Sequence, residues 1–132
     1  MPQLTGRCAC NAVTWSAPGP VLWAGHCHCE SCRRASSAPM TSFFGVARDS
    51  VTWTGAMTSR WSSPADERGH CPACGSQMFI RCSRWPEETH LYAATLDDAA
   101  MFIPEAHYHW AERLDWFEIR DGLPKHQGSA DA

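Results

Sequence analysis

The sequence predicts a small, mainly β domain, and three observations carry that expectation. Glycine and proline, nine of each among 132 residues, recur at short intervals and leave no amphipathic stretch long enough for a three-turn helix. The pieces between them alternate apolar and polar residues, the period of a half-buried strand. Seven tryptophans supply the large flat side chains on which small β-rich cores often rely.

In chain order, alternation marks strands at residues 12–16 and 21–28. A short helix is expected over 30–36, directly after Cys29, with Ser37 and Pro39 ending it. Further strands are expected at 41–47, 50–54, 58–62, 76–82 and 89–96. Turn formers bound them, among them Ala17-Pro18-Gly19-Pro20, Thr54-Gly55 and Trp85-Pro86. His107 and His109 alternate around Tyr108 in a strand-like run, and Asp97-Asp98 reads as a turn or cap. The segment from Gly122, with Pro124, Gly128 and small polar residues, is expected to fray and to be flexible from 125 onward. The length suits one zinc-binding domain over 1–132, without linker or repeat.

Composition narrows the function classes. Hydrophobic residues are 44% and charged residues 19%, which suits a packed core and not a disordered chain. A net charge of −3 without any Lys/Arg run argues against nucleic acid. No apolar run resembles a signal core or a membrane span, so a cytoplasmic location without membrane association is expected.

Eight cysteines in a reducing compartment point to metal, not disulfides, and they divide as four, three and one. In Cys71-Pro72-Ala73-Cys74-Gly75 the spacing lets two thiolates turn toward one ion, and Gly75 relaxes the tight backbone that follows. Cys8-Ala9-Cys10 is a tighter half-site that demands a turn. Joined, Cys8, Cys10, Cys71 and Cys74 make a closed structural zinc site.

His26-Cys27-His28-Cys29-Glu30-Ser31-Cys32-Arg33-Arg34 offers a second metal group, Cys27, Cys29 and Cys32. Three protein ligands suggest an open fourth position, unless His26 or His28 closes the site and makes it structural. Three thiolates leave zinc a weak Lewis acid for hydrolysis but a good partner for an entering thiol, which it turns into a nucleophile. Arg33 and Arg34 are candidates for the carboxylates of a thiol substrate, or they are solvated and balance the anionic cluster. Cys82 alternates with Met78 and Ile80 on one strand face and reads as a core thiol.

Gly6-Arg7-Cys8-Ala9-Cys10, Cys27-His28-Cys29-Glu30-Ser31-Cys32-Arg33 and Cys71-Pro72-Ala73-Cys74-Gly75-Ser76 follow one another in this order. With Thr95-Leu96-Asp97-Asp98, Pro104, His107 and Trp116, they resemble the glutathione-dependent formaldehyde-activating enzymes, also called centromere protein V-like. The resemblance runs from about residue 6 to 124. It implies a β-tent of antiparallel sheets bridged by a structural zinc on Cys8, Cys10, Cys71 and Cys74, similar to methionine sulfoxide reductase B. It also implies a catalytic zinc on Cys27, Cys29 and Cys32, with glutathione as partner and a carbon-sulfur lyase activity giving S-(hydroxymethyl)glutathione. The alternative is a non-catalytic zinc module that binds or carries a thiol. Two positions depart from the family pattern: Asn11 and Ala94 stand where many relatives have glycine.

Overall fold

The computed structural model describes residues 3–129. Its strands are β1 (Leu4–Arg7), β2 (Thr14–Ala17), β3 (Trp23–Cys27), β4 (Thr41–Ala47), β5 (Thr52–Thr54), β6 (Thr58–Trp61), β7 (Asp66–His70), β8 (Gln77–Cys82), β9 (Glu88–Tyr92) and β10 (Ala106–Tyr108). One α-helix, α1 (Glu30–Ser36), and three 3₁₀ turns complete the described elements. The chain is mainly β, as expected. No helix among the described residues is long and apolar enough to cross a membrane.

Two sheets form. The smaller has the order β1-β2-β5, and the larger has the order β10-β3-β4-β9-β8-β7-β6. All pairings are antiparallel except β10 beside β3. Because side chains alternate along a strand, the larger sheet carries two different faces. Ala24, Phe44, Val46, Phe79 and Leu91 meet Leu4, Trp15 and Ala17 of the smaller sheet in the main core. Phe43, Ile80 and Tyr92 join Cys32 in a second cluster, with Trp23, Cys27 and Cys29 against it.

Strand 41–47 and helix 30–36 have the expected bounds. Strand 89–96 stops at Tyr92, where a 3₁₀ turn over Ala93–Thr95 begins. β1 and β7 are additional. The tryptophans are a partial correction: Trp15 is buried, but Trp61 and Trp116 are exposed, and apolar filling comes mainly from Phe, Leu, Val and Met.

The segment after Gly122 is hydrogen-bonded along β10. His107 N–H donates to Pro124 O and His126 N–H to His107 O, both at 2.8 Å, and His109 N–H donates to Gly128 O at 2.9 Å. Tyr108 stacks on His126 with centroids 5.4 Å apart. A backbone ladder beside β10 depends little on side-chain type, so small polar residues join it without announcing themselves.

Candidate functional site

The turn after β1 places Cys8 and Cys10 against Cys71 and Cys74 of the β7–β8 connection. Cys10 Sγ lies 3.7 Å from Cys8 Sγ and 3.8 Å from Cys71 Sγ, and all four sulfurs lie within 4.8 Å of one another. Tetrahedral ligands with zinc–sulfur bonds of about 2.3 Å stand about 3.8 Å apart, so the donor set fits zinc. Local backbone makes this possible. Asn11 adopts φ 68° and donates its N–H to Cys8 O, so asparagine supplies the left-handed turn. Gly75, at φ 78°, closes the other loop with an N–H bond to Cys71 O. Ser76 Oγ accepts from Ala9 N–H across the two loops. Hydrogen bonds from the Ser76 hydroxyl and backbone pull the Cys74 thiol down to about 5.

The second group lies where β3 runs into α1. Cys27 ends the strand, Cys29 caps the helix by accepting the Cys32 N–H at 3.3 Å, and Cys32 sits in the first turn. Their sulfurs too lie within 4.8 Å of one another. Hydrogen bonds from Cys27 and Cys29, then the charge of Arg68, drive the Cys32 thiol far below its ordinary range. Arg68, 2% exposed, donates from Nη2 to Ser31 Oγ at 3.0 Å and to Cys32 Sγ at 3.6 Å. Its Nη1 donates to Tyr92 Oη at 3.1 Å, and Nε to Ser62 Oγ at 3.0 Å. A buried cation thus stands beside the Cys32 thiolate. Nothing in the sequence announced it, because Asp66-Glu67-Arg68 has no apolar alternation.

Neither histidine belongs to this group of sulfurs. His26 Nδ1 pairs with Ser42 Oγ at 2.8 Å, and His28 Nε2 with His107 Nδ1 at 2.8 Å. Asp121 accepts the His107 Nε2–H at 2.9 Å, which leaves His107 Nδ1 to accept from His28. This link, with both histidines buried and Asp121 at the surface, ties the loop between Cys27 and Cys29 to the C-terminal segment. Burial lowers His28 to about 4.

Cys27, Cys29 and Cys32 line a cavity of about 410 Å³ with Trp23, Phe43, Arg68, Arg84, Trp85, Glu88 and His90. Arg33 and Arg34 are not part of that lining. Arg33 donates to His28 O and Glu112 O, while Arg34 pairs with Glu30 at 3.0 Å on the surface. Cys82 is buried as expected and also borders the cavity, with its thiol pushed up by burial. His109 pairs with Glu112, and Asp98 caps the 3₁₀ turn at Ala99–Met101, in keeping with a capping role.

A family model described as glutathione-dependent formaldehyde-activating enzyme matches residues 3–112. The chain belongs to that family. A Halomonas elongata protein provisionally named for the same activity is 29% identical over 126 residues, covering 88% of this chain and 80% of its own. An uncharacterized lyase of Schizosaccharomyces pombe is 32% identical over 80 residues, which span 61% of this chain and 58% of that protein. A solved Rhodobacter sphaeroides protein shares the fold, with a TM-score of 0.59 at 20% identity over 92% of this chain and 98% of its own. Membership in the glutathione-dependent family brings glutathione forward as the small-molecule partner.

Proposed function

We propose that this chain is a zinc-dependent enzyme of the carbon-sulfur lyase type that joins the glutathione thiol to formaldehyde. One observation carries the reading: Cys27, Cys29 and Cys32 line a cavity, and no histidine nitrogen closes their group. Zinc held by these three residues would supply an open position at which an entering thiol loses its proton readily. Cys8, Cys10, Cys71 and Cys74 hold a second, structural zinc. The addition balances within the two reactants. Sulfur bonds to the carbonyl carbon, the C=O π pair moves to oxygen, and oxygen takes the proton that sulfur gives up. The chain's part is to hold the reactants together in a partly dry cavity and to manage that proton.

Arg68 offsets the negative charge of the cysteine group. Arg84 takes the place that the sequence suggested for Arg33 and Arg34. It borders the cavity, its guanidinium lies 4.8 Å from the centre of the Trp85 ring, and Ser129 Oγ accepts from it at 3.2 Å. A planar cation there suits a glutathione carboxylate. Seven cysteines held as zinc ligands must stay reduced, so this reading places the protein in a reducing compartment such as the cytoplasm.

The test is formaldehyde exchange by NMR at matched glutathione concentrations, with wild type, Cys29→Ser and buffer alone, since the addition also proceeds without catalyst. Acceleration by wild type alone is expected. Three equal rates, with glutathione still bound to wild type, would reject the reaction and favour a thiol-binding or carrier module.

A further inference from the structure

The cavity also contains a hydrogen-bonded set that neither cysteine group uses. Glu88 and His90 are two residues apart on β9, and both border the cavity. Glu88 Oε1 accepts the Trp23 indole N–H at 2.9 Å and lies 2.9 Å from His90 Nε2. A carboxylate has no proton to give, so Nε2 carries the hydrogen and Nδ1 the lone pair. Nδ1 makes no hydrogen bond within the described residues, and the His90 ring borders the cavity. This is the arrangement of a base oriented by an acid, on a ring that borders the space a substrate would enter.

The arrangement is built and not incidental. Trp23 crosses its strand partner at Gly45, where a Cβ would collide with the indole and stand 3.0 Å from Glu88 Oε1. Only glycine leaves room for the indole to reach the carboxylate. Trp23 meets the His90 ring edge-on at a centroid distance of 4.7 Å, and Trp85 packs against the same ring at 5.4 Å. His90 is 7% exposed, so its orientation is fixed by packing as well as by the carboxylate.

We propose that His90, oriented by Glu88 and Trp23, is the catalytic acid–base that carries the proton between the thiol sulfur and the aldehyde oxygen. The proposal rests on the reaction given under Proposed function and supplies the residue that reaction lacks. In the forward direction Nδ1 takes the S–H proton as sulfur attacks the carbonyl carbon. The S–C bond forms, the π pair moves to oxygen, and the imidazolium returns the same proton to that oxygen. Nothing else is consumed, and the ring ends neutral. Glu88 stabilises the imidazolium while it lasts. Burial holds the free imidazole below its ordinary range, so the base form prevails at neutral pH.

The test uses the zinc-loaded full chain and the glutathione–formaldehyde exchange assay, with glutathione affinity and zinc content measured on the same samples. His90→Gln, which keeps a donor for Glu88, is expected to slow exchange about a hundredfold or more while affinity and zinc content stay unchanged. In His90→Ala, added imidazole is expected to restore part of the rate, which a purely structural histidine would not allow. Nitrogen-15 NMR of wild type is expected to show the Nε2–H tautomer. Wild-type exchange in folded His90→Gln, absence of imidazole rescue, or an Nδ1–H tautomer overturns the role of His90 and leaves the reaction standing. No acceleration by wild type overturns the reaction, and the role of His90 with it.

Discussion

At the residue scale, Arg68 decides what kind of environment the three-cysteine group has. Its guanidinium is buried, so its charge is poorly screened, and four acceptors hold it: Ser31, Cys32, Ser62 and Tyr92. Arg68→Met keeps much of the volume but removes the charge and every one of these bonds. Metal affinity at Cys27, Cys29 and Cys32 should fall about 10- to 100-fold, the usual consequence of losing a group that supports a ligand. The Tyr92 hydroxyl, left without its donor, should cost a further ~1–3 kcal/mol of folding stability. Competition with a chromophoric chelator measures the first effect and urea unfolding the second; unchanged zinc affinity would show that Arg68 only packs.

At the element scale, the four-cysteine group clamps two turns from different sheets, the one after β1 and the one between β7 and β8. The three-cysteine group spans only a strand end and the helix that follows it. Cys74→Ser should therefore lower the melting temperature sharply or cause aggregation, while Cys29→Ser should leave a folded chain with less metal. Equal circular dichroism and melting temperature for wild type and Cys74→Ser would remove the clamp. The same elements explain what the sequence revealed. Strand 41–47 was legible from its run of apolar β-formers, and helix 30–36 from the residues that start and stop it, Cys29 and Ser37. β7 was not, since Asp-Glu-Arg-Gly-His contains no apolar residue and Arg68 is buried by hydrogen bonding instead. Both cysteine partitions were legible from spacing alone. Arg33 and Arg34 do not line the cavity, because each helical residue turns about 100° from the last and these neighbours of Cys32 in sequence point elsewhere. Trp23, Glu88 and His90 come together only through the pairing of β3 with β4 and of β4 with β9, which no local pattern records.

At the scale of the whole molecule, the larger sheet separates the two cysteine groups into different apolar environments. Cys8 and Cys71 belong to the core between the sheets, whereas Cys27, Cys29 and Cys32 belong to the cluster on the cavity side. Ions held there should therefore leave by different routes. A chelator can enter the cavity and compete for an incompletely closed ligand set without disturbing the sheets. Taking an ion from Cys8, Cys10, Cys71 and Cys74 means parting the two turns, although Cys10 and Cys74 are exposed. Under mild chelation, one equivalent of zinc should be released while circular dichroism and tryptophan fluorescence stay native, and the second only as the chain unfolds. Release of both ions in one phase, whether with native signals or only on unfolding, would mean that the two groups do not act as an open site and a clamp.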